Sequence, residues 1–270
     1  MKYNLSLVSF ILFTQISHVL VSQTLYQKGY FDFENGNYSS AIVCFSKSIN
    51  NREQISESYM MRAASFCELK KYSSALVDID SSIILDSTQY KAYYYKGRIY
   101  LLNGFSSLSI KNLNKAISIN PIDSKSFNCR ATAKMISFDS IGALQDVNFA
   151  IKLDSTNSLF YLNRGFIKSN LFRYSDAIVD YNKSLQIKES QGAFADRGYA
   201  YFKLNQYDKA IKDFNESLSI NAKDWEILYY RGLSNLAIGK KIEACNDFSL
   251  SSNLGGKNAI KEYKKNCGTK

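Results

Sequence analysis

Arginine and aspartate recur in this chain at a fixed spacing of 16 residues. The five pairs are Arg62 with Asp78, Arg130 with Asp146, Arg164 with Asp180, Arg197 with Asp213, and Arg231 with Asp247. Where Lys28 and Lys96 replace the arginine, the second position holds Cys44 and Asn112 instead. A guanidinium can donate two parallel hydrogen bonds to a carboxylate, which an ammonium cannot do. This joint variation therefore predicts structural ion pairs, with ligand binding by the same residues as the alternative.

Residue types that most catalytic sites need are scarce in the sequence. The only histidine is His18, which leaves no histidine for a nucleophilic triad or a metal site after that position. Asp78 and Asp80 form an Asp-x-Asp sequence, but the spacing assigns Asp78 to Arg62. We therefore expect no enzymatic activity, no cofactor and no metal ion. Catalysis by carboxylates alone, as in glycosidases, is the alternative that the composition leaves open.

A period of about 34 residues organises these pairs. One register carries a small residue in seven successive segments, namely Ala41, Ala75, Ser109, Ala143, Ala177, Ala210 and Ala244. Over residues 191–221, apolar residues follow helical spacing both before and after Asn205, and Gly198 marks a close approach of another helix. Turn-forming residues recur between the two helical segments of a repeat, at Gly36, Gly104, Asn205 and Gly239. Each segment is therefore predicted to be a pair of antiparallel helices.

These segments resemble the tetratricopeptide repeat, whose pattern places a glycine, aromatic residues and small alanines at fixed positions. The resemblance covers roughly residues 22–253 and implies an all-α fold, a right-handed α-solenoid of about seven tetratricopeptide helix-turn-helix repeats with a C-terminal capping helix. The expected repeats are 22–55, 56–89, 90–123, 124–157, 158–190, 191–224 and 225–253, and the capping helix and tail follow over 254–270. Only Pro121 occupies the position where the family pattern closes with proline.

The first 22 residues have the composition of a secretory signal peptide. One lysine precedes an apolar run from Leu5 to Phe13, and the small Ser22 stands before the first repeat. We expect cleavage near Ser22 and a periplasmic, cell-envelope or secreted location. An uncleaved membrane anchor is the alternative, opposed by the polar residues that follow Phe13 because a spanning helix needs about 20 apolar residues.

Two cysteines near the C-terminus are expected to form a disulfide. Cys245 precedes the Gly255-Gly256 turn and Cys267 follows it at a similar distance, so antiparallel helices would bring the two thiols level. Such a bond persists in an oxidising compartment. The C-terminal unit also resembles the last unit of exported tetratricopeptide proteins from Bacteroidetes-like bacteria, which is consistent with export.

The resemblance implies a concave groove, formed by the first helix of each repeat, that holds a peptide or helix of a partner protein. The groove positions of this sequence are Tyr26, Tyr30, Phe33, Tyr94, Arg98, Asn128, Phe166, Asn170, Tyr199, Phe202 and Tyr229. Aromatic side chains supply rigid contact area for such a partner. Across all groove positions, four acidic and four basic residues cancel, so the excess positive charge must lie on other surfaces. These charged residues are Glu34, Glu57, Glu68 and Glu226 against Lys91, Arg98, Lys125 and Lys203.

The sequence therefore predicts an exported, non-enzymatic interaction scaffold that binds a protein or peptide. One alternative is a basic helical-repeat protein that binds nucleic acid, opposed by the export signal and by the groove's lack of net positive charge. The other is a structural component of a cell-envelope complex, in which the basic surface associates with an anionic membrane. We expect a protein partner and no nucleic acid.

Overall fold

The computed structural model describes residues 24–268, and these residues form fifteen helices joined by short turns. The predicted signal peptide, residues 1–22, lies outside the described residues. The described range contains no strand, so the all-α prediction is confirmed. None of the helices between residues 24 and 268 has the length and apolar composition that crossing a membrane requires.

The helices follow one another as seven hairpins and a final single helix. They are α1 (Leu25–Glu34), α2 (Tyr38–Asn50), α3 (Ile55–Glu68), α4 (Tyr72–Leu85), α5 (Tyr90–Leu102), α6 (Ser106–Ile119), α7 (Ser124–Ile136), α8 (Ser140–Leu153), α9 (Ser158–Asn170), α10 (Tyr174–Ile187), α11 (Gln191–Lys203), α12 (Tyr207–Ile220), α13 (Trp225–Ala237), α14 (Lys241–Asn253) and α15 (Lys257–Asn266). We call the first helix of each hairpin an A helix and the second a B helix.

The chain divides into two compact units between Pro121 and Ile122. Unit 1 contains the hairpins α1 to α6, and unit 2 contains the hairpins α7 to α14 with α15 at its end. Within each unit, every B helix packs against its own A helix and against the next one. Successive A helices also contact each other, as α9 and α11 do, whereas the described B helices show no comparable contact within either unit. The A helices therefore line the more closely packed side of each unit.

Small residues in the A helices allow the two helices of a hairpin to approach. A Cβ atom added to Gly165 would lie 2.6 Å from Cε1 of Tyr181, and one added to Gly198 would lie 2.8 Å from the ring of Phe214. The close approach predicted at Gly198 is thus present, and its neighbour is the B helix of the same repeat. The alanine that defines the repeat register, such as Ala177, is fully buried in the same contact zone. Interiors packed this tightly do not accept added volume without rearrangement.

The turns inside the hairpins use left-handed backbone. Gly36, Gly104 and Gly239 have φ angles between +77° and +85°, and Asn205 has a φ of +57°. These are the four turn residues that the sequence predicted. Glycine and asparagine adopt this conformation at lower cost than other residues.

A disulfide between Cys245 and Cys267 ties α15 to α14, with the two Cα atoms 5.6 Å apart. The predicted pair is therefore present. Ala259 of α15 and Phe248 of α14 are fully buried together, and Leu236 packs against them. The last helix thus covers the apolar end of unit 2, as the end of a repeat stack requires.

Removing this disulfide is expected to lower the free energy of unfolding of unit 2 by about 2–4 kcal/mol, because the cross-link restricts the unfolded chain. The test compares urea unfolding of the oxidised chain with that of the variant Cys245→Ser/Cys267→Ser. Reductant should lower the midpoint of the wild type to that of the variant and leave the variant unchanged. Equal midpoints for the oxidised chain and the variant would contradict the prediction.

Candidate partner-binding face

The five arginines predicted to form ion pairs each donate at least two hydrogen bonds to the aspartate of their own repeat. In the pair between α3 and α4, Nε of Arg62 lies 2.7 Å from Oδ2 of Asp78 and Nη2 lies 2.8 Å from Oδ1. The pair Arg197 and Asp213 repeats this geometry with distances of 2.7 and 2.6 Å. All five aspartates are buried. These contacts fasten each A helix to its B helix.

At least four of these arginines also reach back to the preceding repeat, a contact that was not predicted from the sequence. The third guanidinium nitrogen, Nη1, donates to a polar side chain of the preceding B helix: Arg62 to Ser46 at 2.9 Å, Arg164 to Asn148 at 3.0 Å, Arg197 to Asn182 at 2.7 Å and Arg231 to Asn215 at 2.8 Å. The signal was present in the sequence, since these polar residues stand 15 or 16 positions before the arginine. All three nitrogens of these four guanidinium groups donate hydrogen bonds. The arginines therefore join neighbouring repeats as well as the two helices of their own repeat.

Lys96 shows how the contact changes where arginine is missing. Its Nζ lies 2.5 Å from Oδ1 of Asp80, which occupies the place of the polar residue in the preceding B helix. Asp80 therefore has a structural partner, and the Asp-x-Asp sequence formed with Asp78 is explained without a catalytic role. The repeat that contains Lys96 therefore keeps a contact with the preceding repeat. It has no ion pair of the Arg–Asp type, because Asn112 stands in the place of the aspartate.

The predicted groove residues of α1 are only partly available on the A-helix face of unit 1. Tyr30 is 44% exposed. Tyr26 stacks on Tyr30, with ring centroids 6.4 Å apart, and also contacts the buried Phe45 at 5.8 Å. Phe33 packs against Tyr38 at 5.6 Å. Tyr30 is therefore the most accessible of the predicted aromatic residues in this helix.

The predicted groove residues of α5 are engaged within unit 1. Tyr94 and Tyr95 make an edge contact at 5.2 Å. Arg98 donates to Glu68 of α3 across a distance of 2.6 Å. Burial alone would lower the pKa of Arg98, but the bond to Glu68 outweighs it and raises that pKa. Arg98 therefore joins two A helices and keeps its charge.

Asn128 does not line an open surface, and the structure corrects its assignment to the groove. Its side chain is buried, and its Oδ1 accepts a hydrogen bond of 2.9 Å from Nδ2 of Asn163. A buried amide needs such a partner because leaving it unpaired is costly. Asn128 therefore links α7 to α9.

Tyr199, Phe202 and Tyr229 belong to an aromatic cluster between α11 and α13. Tyr230, which the sequence analysis did not select, lies at its centre, with ring centroids 5.0 Å from Tyr199, 5.4 Å from Phe202 and 5.3 Å from Tyr229. Burial, followed by the neighbouring Tyr199, raises the pKa of Tyr230 to about 12. Nζ of Lys203 lies 5.5 Å from the ring centroid of Tyr199. These rings pack α11 against α13 and remain partly exposed.

Phe166 and Asn170 lie at the mouth of a cavity of about 180 Å³ in unit 2, which we call the α9–α11 pocket. Both residues are exposed. The full lining is Phe166, Ser169, Asn170, Phe172, Tyr174, Tyr181, Asp196 and Tyr199. The repeat pattern predicts Phe166, Asn170 and Tyr199 as groove residues, but not Asp196 or the aromatic residues contributed by α10 and the turn before it.

Asp196 has an unusual environment for an acidic side chain. Within residues 24–268 its carboxylate makes no hydrogen bond or ion pair, and the side chain is partly exposed. Burial, and then the negative charge of Glu226, raises the pKa of Asp196 to about 7. At neutral pH the protein therefore holds a partly ionised carboxyl group among aromatic rings without a counter-ion.

Asp196→Asn is expected to raise the free energy of unfolding by up to about 4 kcal/mol at pH 8 and to change it little at pH 4. The folded state binds the proton of Asp196 more tightly than the unfolded chain does. The cost of ionising Asp196 therefore grows as the pH rises from about 4 to about 7 and is complete above pH 7. Urea unfolding at both pH values measures the difference. Glu216→Gln, which removes an exposed charge from the same repeat, is the control; an equal gain for Asp196→Asn at both pH values would contradict the prediction.

Comparisons with known proteins agree with the fold. Residues 90–123, 159–191 and 193–224 match tetratricopeptide-repeat family models. Human tetratricopeptide repeat protein 12 is 30% identical over 102 residues, which are 38% of this chain and 14% of that protein. The chain therefore spans about a seventh of the curated relative that it matches.

Two solved structures illustrate the structural similarity. A tetratricopeptide repeat protein from Parabacteroides merdae aligns with a TM-score of 0.65 and 17% identity, over 89% of this chain and 96% of that one. YrrB, described as a tetratricopeptide protein with an unusual peptide-binding site, aligns with a TM-score of 0.50 and 19% identity, over 68% of this chain and 95% of its own. At these identities the similarity shows the fold.

Within the described residues, no cluster of three or more histidine, cysteine, aspartate or glutamate side chains could hold a metal ion.

Proposed function

Because the chain is built of tetratricopeptide repeats, we propose that it is an exported, non-enzymatic scaffold that holds a segment of a partner protein on its A-helix face. The observation that carries this proposal is the α9–α11 pocket, where aromatic rings and one unpaired carboxylate open onto that face. Concave sites lined by aromatic residues with a few polar groups are typical of binding sites. YrrB, which shares the fold, is described as having an unusual peptide-binding site, and that description supports the same use of this fold here.

The charged residues of the repeats support a scaffold more than a catalyst. The Arg62, Arg164, Arg197 and Arg231 guanidinium groups are saturated by contacts within and between repeats. Their aspartate partners are buried and bonded, so they are not placed to transfer protons to a substrate. Rigid repeats present a surface, and the side chains that remain accessible on the A helices set what it binds.

Photo-cross-linking in the native cells tests the proposed face. We would place p-benzoylphenylalanine at Tyr30 or Ile136, which are exposed on A helices, and at Val77 or Val179, which are exposed on B helices. We expect one partner protein to be captured from the A-helix positions and not from the B-helix positions. Capture only from the B-helix positions, or capture of nucleic acid, would overturn the proposal.

Export is the part of the proposal that rests on residues 1–22 and on the disulfide of the last helix. Mass spectrometry of the protein isolated from its own cells tests it. A new N-terminus near Gln23, together with a Cys245–Cys267 cross-linked peptide, is the expected result. An intact Met1 with reduced cysteines would place the protein in a reducing compartment and contradict export.

A further inference from the structure

The α9–α11 pocket has the size of a single side chain. Its volume of about 180 Å³ is below the roughly 300–1,000 Å³ of pockets that enclose whole small-molecule ligands. Phe166 and Asn170 from α9, Tyr174 and Tyr181 from α10, and Tyr199 from α11 form its walls. Several rings thus surround one carboxylate, that of Asp196. The faces of aromatic rings attract cations, and so does a carboxylate.

No described group neutralises Asp196 from the helices that surround it. The pocket residues of α9 are uncharged, and α10 contributes the hydroxyl groups of Tyr174 and Tyr181. The charge that acts on it from α13 is Glu226, which has the same sign. Lys203, on the same helix as Asp196, lies against the ring of Tyr199 and forms no ion pair with Asp196. The pocket therefore has an uncompensated negative charge.

The corresponding position in the other repeats is always uncharged. Six residues occupy it, namely Gln27, Met61, Tyr95, Cys129, Asn163 and Tyr230. The repeat fold therefore does not require a carboxylate there. Because a partly buried acid without a counter-ion costs stability, its presence in one repeat alone points to a ligand that supplies the missing charge.

We propose that the α9–α11 pocket receives the cationic end of a lysine or arginine side chain from the bound partner segment, with Asp196 as its counter-ion. The proposal rests on the proposed function and specifies the chemistry of one contact. Asp196 and Glu226 draw a basic side chain toward the pocket, and the rings of Phe166 and Tyr199 contact its aliphatic stem and charged end. A partner that places an acidic side chain there would be repelled.

Selection of peptides against the full chain tests this contact. The probe is a phage library of random 12-residue peptides, selected on the wild-type protein at pH 8. We expect lysine or arginine to be enriched at one position. Replacing that residue with norleucine should weaken binding about 10-fold or more to the wild type and about 2-fold or less to Asp196→Asn. The control variant Glu216→Gln should bind the selected peptides as the wild type does.

Binding should also depend on pH through Asp196. Because the pKa of Asp196 is about 7 in the free protein, affinity for the basic peptide should rise between pH 6 and pH 8 in the wild type and stay flat in Asp196→Asn. A structural role alone would not produce this profile. Asp196→Asn is expected to fold, since it removes a partly buried charge that has no counter-ion.

Variants outside the pocket separate this proposal from the proposed function. Ile136→Ser and Leu159→Ser remove exposed apolar side chains from A helices of unit 2 without touching the pocket lining. Peptides weakened by these two variants but bound equally by Asp196→Asn and the wild type would overturn the pocket assignment and leave the A-helix face in place. If all three variants bound the selected peptides as the wild type does, or if no peptide were selected, both the pocket assignment and the proposed A-helix face would be overturned.

Discussion

Asp180→Ala is expected to lower the free energy of unfolding of unit 2 by about 3–5 kcal/mol, the largest effect of any single charge removal considered for this chain. The carboxylate of Asp180 is almost completely buried and lies 2.6 Å from Arg164 and 2.7 Å from Lys168. Removing it leaves two partly buried cations without a counter-ion. Arg164 also loses its hydrogen bonds to α10. Urea unfolding followed by circular dichroism measures the loss.

An exposed ion pair on the same helix provides the control. Asp176 lies 2.6 Å from Arg173, and the two side chains are about half exposed. Exposed pairs contribute roughly 0–1 kcal/mol, so Asp176→Ala should change the free energy of unfolding by no more than this. Similar losses for Asp176→Ala and Asp180→Ala would show that burial of the pair does not matter and would contradict the structural role of the ion pairs.

Two glycine substitutions are expected to act in opposite directions. Gly165→Ala should lower the free energy of unfolding by about 1–3 kcal/mol, because the new methyl group would meet the ring of Tyr181 at 2.6 Å. Gly192→Ala should raise it by about 0.5–1 kcal/mol, since the nearest atom, Cδ2 of Leu162, is 4.0 Å away and alanine favours the helix.

Both glycines lie in A helices of unit 2, so the same urea unfolding experiment compares them directly. Their difference isolates the close approach of α9 and α10 from the general preference of helices for alanine. If Gly165→Ala were as stable as Gly192→Ala, the contact between Gly165 and Tyr181 could not determine how tightly the hairpin packs.

The features that repeat along the chain could be predicted from the sequence. The Arg–Asp pairs, the turn residues such as Gly36 and the packing role of Gly198 each recur at a fixed spacing, so one structural reason serves every repeat. The bond from Arg164 to Asn148 also recurs, but recognising it requires knowing how one repeat is placed on the next. That placement depends on packing and not on spacing alone.

The features that occur once were harder to predict. Asn128 occupies a groove position in the repeat pattern, but its neighbour Asn163 covers it and pairs with it. Asp196 stands in no recognised motif, and its pocket is assembled from α9, α10 and α11. Its signal in the sequence was a single charged residue at a position that is uncharged in the six other repeats. Only the surrounding helices show that this charge lacks a partner.

Hydroxyl-radical footprinting of the full chain, free and bound to the partner captured by cross-linking, tests the A-helix face most directly. The measurement is the oxidation of individual side chains, read by mass spectrometry. Tyr30, Ile136 and Phe166 are exposed on A helices, while Val77 and Val179 are exposed on B helices. We predict that the partner protects residues of the first group and leaves the second group unchanged. Protection of Val77 and Val179 with unchanged oxidation of Tyr30, Ile136 and Phe166 would contradict the account.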